Sequence, residues 1–123
     1  MTYVDDYITD LENTLKAVSR SEVQAVVDLL FDALFEDRQV FIIGNGGSAS
    51  TASHMMNDLS KLTIRSGQPR YRAIALTDNM PLITAWGNDV SYDSVFVEPL
   101  RNLMRPSDIL VAISTSGNSS NII

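Results

Sequence analysis

Ser114, Thr115, Ser116 and Ser119 bring four hydroxyls to the end of the apolar run Asp108–Ser114 and the residues just after it. A second apolar run, 38–44, passes directly into Gly44-Asn45-Gly46-Gly47-Ser48. Glycines free the backbone N–H groups for close approach, and a helix that starts there turns its positive dipole end toward the same point. Hydroxyl donors and free N–H groups together suit an anion such as a phosphate, with no lysine or arginine needed. Taken singly, each loop also has a plain reading. The glycines make a tight turn with Ser48 as helix cap, and the serines cap a following helix. Two such loops, each directly after a buried strand, favour one shared phosphorylated ligand.

Gly44-Asn45-Gly46-Gly47-Ser48-Ala49 also fits the dinucleotide pattern GxGxxG/A. That pattern wants an acidic residue about 20 positions on, at the end of the next strand. Asp78 ends that strand but lies roughly 30 residues past the loop, and the hydroxyl-rich loop has no place in the scheme. No Lys follows the glycines as a phosphate-binding P-loop requires. No nucleotide cofactor is expected. The single histidine, His54, stands four residues before Asp58 and therefore beside it on a helix. The pair reads as a metal ligand or proton carrier, or as a solvated ion pair contributing a few tenths of a kcal/mol.

The elements that must carry these residues follow from hydrophobic spacing. Val4, Ile8, Leu11, Leu15 and Val18 predict a helix over about 2–18. Ser19 or Ser21 caps a second helix, with Val23, Val26, Val27, Leu30, Ala33 and Leu34 as its buried stripe. The continuous apolar runs 38–44, 71–76 and 108–114 predict strands covered on both faces. Helical patterns separate them at about 48–63, 79–87 and 92–104, and the last residues, Ser116–Ile123, read as the first turns of another helix. On helix 48–63, Ala49, Ala52, Met56 and Leu59 form the packed face, with Met55 beside them. Strands alternating with helices predict βαβ units and a parallel sheet whose carboxyl-end loops gather the ligand. A three-stranded sheet is small for this architecture, so the chain reads as part of a longer protein.

At 123 residues, the length suits one domain. The net charge of −6 argues against nucleic acid as a partner. No apolar run approaches the roughly 20 residues of a membrane span, so no membrane partner is expected. The chain has no cysteine, which rules out disulfides and thiolate metal sites and fits a cytoplasmic location.

"GNGGSASTASHMMNDL", "AWGNDVSYDSVF" and "DILVAISTSGNSSNII" together resemble the sugar isomerase (SIS) superfamily, and within it the phosphoheptose isomerases. The likeness runs from about residue 38 to the end, and the two leading helices also fit. It implies an α/β fold, a three-layer αβα sandwich with a flavodoxin-like parallel sheet, five-stranded in the complete family and preceded by two N-terminal helices. Residues 1–123 would then be the N-terminal part of a single SIS domain, with helices to about 37 and the αβα core from about 38.

The resemblance further implies aldose–ketose isomerisation of sedoheptulose 7-phosphate through an enediol. Asn45, Gly46, Gly47 and Ser48 match the family's first substrate loop. Asn88 and Asp89 match its sugar-contacting Asn-Asp, and Ser114, Thr115, Ser116 and Ser119 its phosphate cradle. His54 falls on a zinc-ligand histidine. Asp58 falls on the catalytic base and zinc ligand, where the family carries glutamate. Further zinc ligands would lie beyond Ile123, so the chain alone is expected to be inactive. The resemblance also implies a homodimer or homotetramer, and the apolar stripe of Val4, Ile8 and Leu11, which lies outside the αβα core and needs cover, is the expected contact surface. A different class of function remains open: a non-catalytic SIS module that senses a sugar phosphate or binds a protein partner of the replication-initiator type.

Overall fold

The computed structural model describes residues 2–123, which divide into two compact units, one reaching Phe31 and the other Asp32–Ile123. The first unit holds helix α1 (Tyr3–Ala17) and most of α2 (Arg20–Phe35). Thr2 and Asp5 form a reciprocal cap on α1: Asp5 N–H donates to Thr2 Oγ1 and Thr2 N–H to Asp5 Oδ2. Thr2 N–H and Thr2 Oγ1–H, both donating to Asp5 Oδ2, hold that carboxyl below its usual range. On α2 the cap is Ser19, whose Oγ accepts from Glu22 N–H. The predicted stripe of α2 is corrected here, because Val23, Val26 and Val27 are exposed and only Ala33 is buried. α1 has no buried residue. A unit of two helices offers too little counter-surface to bury both stripes.

The second unit is the αβα sandwich. Strands β1 (Gln39–Gly44), β2 (Arg72–Ala75) and β3 (Ile109–Ile113) form a parallel sheet in the order β2-β1-β3. Phe41 pairs with Ile74 on one side and Leu110 on the other. β1 is therefore the centre, and Val40, Phe41, Ile42 and Ile43 are all buried. β2 and β3 are covered only in part, and Leu110 is exposed. The expectation of three strands buried on both faces holds for β1 alone, since edge strands have a neighbour on one side only.

Helix α3 (Gly46–Lys61) packs on β1 and β2 through Ala52, with Ala49, Met56 and Leu59 half-buried as the spacing predicts. Across the sheet, α4 (Met80–Asp89) and α5 (Ser94–Leu103) cover Phe41 and Ile43. Val95 and Phe96 of α5 complete that core, with Ile83, Trp86 and Ile122 against it. A single 3-10 turn, Leu76–Asp78, joins β2 to α4. After β3 the chain makes one turn, with Ile122 and Ile123 N–H both donating to Ser119 O, rather than the expected helix.

Asp108 joins two strands where they begin. Its Oδ1 accepts from Gln39 N–H (2.9 Å), and its Oδ2 accepts from Arg105 N–H (2.8 Å). Burial pushes its carboxyl up, but those two donors and the charges of Arg72 and Arg105 outweigh it and hold the group below the usual range. Asp108→Asn leaves one N–H facing an amide NH₂ and should cost about 1–3 kcal/mol at neutral pH. A depressed carboxyl contributes stability that is complete above its unfolded value, ~3.9, and lost as pH falls through the folded one. Urea midpoints of wild type and variant should therefore differ at pH 7 and converge toward pH 3; an equal gap at both would reject the carboxylate's role.

Candidate functional site

The first loop differs from its expected form in where the helix starts. Asn45, not Ser48, is the N-cap of α3, and Gly46 opens the first turn with a φ of +52°. Ser48 and Ala49 N–H both donate to Asn45 O. The N–H groups of Gly46 and Gly47 precede the helical bonding pattern and have no carbonyl within it. Gly44 has a different reason to be glycine: a Cβ there would lie 2.6 Å from the backbone oxygen of Ser48. The helix turns back across the end of its own strand, and no side chain fits between.

The second loop bonds to itself. Gly117 N–H donates to Ser114 Oγ (3.1 Å), and Asn118 N–H to Ser116 Oγ (3.2 Å). Each hydroxyl thus accepts from the backbone and keeps its own proton free to donate elsewhere. The hydroxyls of Thr115 and Ser119 make no hydrogen bond among the described residues.

Asn45, Ser48, Ile113, Ser114, Thr115, Ser116 and Ser119 line one cavity of about 190 Å³. That is room for roughly six waters at liquid density, enough for a phosphate and the first atoms of what it is attached to. Six of the residues singled out from sequence therefore meet, although Ser48 and Ser114 are 66 positions apart in the chain. Gly46 and Gly47 stand beside the cavity in the helix's first turn and do not line it. Asn88 and Asp89 do not line it either. They end α4, exposed, with Asn88 Nδ2 donating to Asp89 Oδ1 (2.9 Å).

Beside the cavity is a group of bonds that no sequence pattern announced. Asn45 and Asn121 face each other amide to amide, Nδ2 to Oδ1 in both directions, at 2.8 Å each. Tyr92 Oη adds a third bond by donating to Asn45 Oδ1 (3.1 Å). Next to it Ser120 Oγ donates to Asp93 Oδ1 (2.5 Å). Asn121 is buried. Asp78, which lies in the 3-10 turn after β2 rather than at the strand's end, accepts a short hydrogen bond from Ser53 Oγ, which also meets Thr77 Oγ1 (3.0 Å).

His54 and Asp58 stand on the outer side of α3, with Nε2 and Oδ2 3.3 Å apart. The imidazole is mostly exposed and the carboxylate less so. Two ligands each about 2.0–2.1 Å from a tetrahedral zinc ion stand roughly 3.3–3.4 Å apart, so the spacing fits two ligand positions. Among the described residues no third His, Asp or Glu joins them.

The SIS domain model matches residues 3–123. The chain belongs to the SIS-domain family. Among relatives of this SIS protein, the phosphoheptose isomerase of Geotalea daltonii is 42% identical over 104 residues, covering 82% of the chain and 52% of that protein. The phosphoheptose isomerase of Akkermansia muciniphila is 34% identical and covers 98% of the chain and 65% of its own length. The structure of phosphoheptose isomerase GmhA from Neisseria gonorrhoeae superposes with a TM-score of 0.82 at 35% identity, covering 98% of this chain and 61% of that one. The SIS chain thus spans about half to two thirds of the proteins it resembles.

Proposed function

We propose that this SIS chain is the phosphosugar-binding part of a phosphoheptose isomerase that interconverts sedoheptulose 7-phosphate and an aldose heptose 7-phosphate. The observation that carries the reading is the cavity in which the hydroxyls of Ser114, Thr115, Ser116 and Ser119 converge with Ser48 at the start of α3. Neutral donors and a helix N-terminus hold a phosphate, while the net charge of −6 discourages unspecific anions. The relatives named phosphoheptose isomerase support a phosphorylated heptose as the ligand.

In this reading the phosphate anchors one end of the sugar, and Asn88 and Asp89 contact its hydroxyls. Asp58 removes the proton from the carbon beside the carbonyl. The C–H electrons become the double bond of the enediol as the carbonyl oxygen takes up a proton; a proton returned to the former carbonyl carbon, with loss of the proton from the other enediol hydroxyl, gives the aldose. His54 and Asp58 also supply two ligands to a zinc ion, with the others contributed by further segments. When bound, such an ion adds Lewis acidity toward the substrate oxygens. We place the protein in the cytoplasm, which its lack of cysteine suits. We further propose a homodimer or homotetramer, supported by the exposed apolar positions Val4, Ile8 and Leu11 of α1. No described helix is long and apolar enough to cross a membrane.

Ser119→Ala tests the phosphate reading most cleanly, because that hydroxyl has no bond inside the described chain to lose. A lost hydrogen bond to a charged group is worth roughly 1.5–3 kcal/mol, so calorimetry with sedoheptulose 7-phosphate should show about tenfold or greater weakening. The melting temperature should not move. Unchanged affinity would remove the cradle.

A further inference from the structure

Asn45 was expected to bind substrate as part of the first loop, yet the structure has already committed most of its side chain. An asparagine amide offers two acceptor lone pairs and two N–H donors. Asn121 Nδ2 and Tyr92 Oη fill both lone pairs of Oδ1, and one N–H goes to Asn121 Oδ1. One N–H is left. Nor does the amide cap its own helix, the usual task of an asparagine at that position.

We propose that Asn121 is a positioning residue: through its paired amide it fixes Asn45, and with it the spacing between the glycine loop and the serine loop. The proposal rests on the phosphosugar reading of the cavity and adds a residue to it. Three chain segments that are remote in sequence meet at this point. Asn45 joins β1 to α3, Tyr92 and Asp93 join α4 to α5, and Ser120 and Asn121 lie in the turn after β3. The paired amide ties the first to the third, Tyr92 ties the second to the first, and Ser120–Asp93 ties the second to the third. The ties close a triangle next to the cavity.

The chemistry favours a fixed geometry over affinity of its own. Two parallel N–H···O bonds between planar amides hold orientation as well as distance, and Asn121 is buried, so water competes poorly for its partners. A cradle built from neutral hydroxyls depends on such placement, because no long cationic side chain lines the cavity to follow a displaced phosphate. Ser48 N–H and Ala49 N–H hang on Asn45 O, so moving Asn45 moves the first turn of α3 as well.

Two measurements on Asn121→Ala, Asn45→Ala, the double variant and Tyr92→Phe test the proposal. In the unliganded protein, hydrogen exchange at Ser48, Ala49, Gly117 and Asn118 N–H should quicken several-fold in Asn121→Ala, although none of these groups bonds to Asn121. Unchanged exchange in both loops would overturn the proposal, with or without a ligand. In calorimetry with sedoheptulose 7-phosphate, each alanine variant should bind about tenfold more weakly, and the double variant no more weakly than the worse single one. Tyr92→Phe should show a smaller loss in the same direction. Losses that multiply in the double variant, or a loss in Asn45→Ala with none in Asn121→Ala, would mean that Asn45 contacts the ligand directly, and the positioning role would be rejected. If wild type binds neither sedoheptulose 7-phosphate nor inorganic phosphate, the phosphosugar reading fails, and the exchange result still decides whether Asn121 couples the loops.

Discussion

Gly44→Ala should cost about 3 kcal/mol or more of folding stability, a large share of the roughly 5–15 kcal/mol that holds a domain together. The added Cβ would stand 2.6 Å from Ser48 O and 2.7 Å from Ser48 C, both backbone atoms in the first turn of α3. A flexible side chain could swing away, but this turn is held by Asn45 O and by packing against β1. In urea the midpoint should fall by about 1 M or more. Gly47→Ala is the control. It meets nothing within 4 Å and has no left-handed backbone, so removing unfolded-state freedom should leave stability unchanged or raise it by about 0.4–1 kcal/mol. Equal midpoints for Gly44→Ala and wild type would refute the close approach of helix and strand.

The second large effect concerns Asp58. In a protein that turns over sedoheptulose 7-phosphate, Asp58→Asn should lower kcat by about 10²-fold or more. Asparagine keeps size and polarity but lacks the basicity to take a proton and the charge to hold a metal. Stability should change by only a few tenths of a kcal/mol, because the pair with His54 is solvated. Asp58→Glu lengthens the reach by one methylene, about 1.5 Å, toward the carboxylate position of the family pattern, and should keep or raise the rate. Turnover that survives Asp58→Asn would remove Asp58 from the mechanism. Binding of the sugar phosphate without any turnover would favour the sensing module, which the exposed placement of both side chains also suits.

The strands and both loops were legible because each has a local signature. β3 is an unbroken apolar run, β1 and β2 are apolar after their first residues Gln39 and Arg72, and glycine or serine clusters follow the first and third. The start of α3 was misplaced by two residues because serine is a common cap and glycine a poor helix former. What decides it is a non-local demand, the crossing of α3 over the end of β1 at Gly44. The stripe of α2 was read correctly as apolar but not as exposed, since periodicity reports which side chains share a face and not what lies opposite. Asn121 was invisible for a plainer reason. It pairs with a residue 76 positions away, inside a run of serines and asparagines where each neighbour looks like a capping residue. Tyr92 likewise carries no mark of its bond to Asn45.

Asp108 grips β1 and β3 where they begin, while the cavity opens where they end, roughly 16 Å away along β1 at about 3.3 Å per residue. Strand pairing is thereby secured at one pole of the sheet and ligand chemistry is kept at the other. Descendants of such a chain can exchange loop residues at the open pole, and so drift from one sugar to another, without having to rediscover how to fold. The two glycine constraints and the amide pair mark where that latitude stops: substitutions there alter the frame itself, whereas Thr115 and Ser119 can be retuned one hydroxyl at a time.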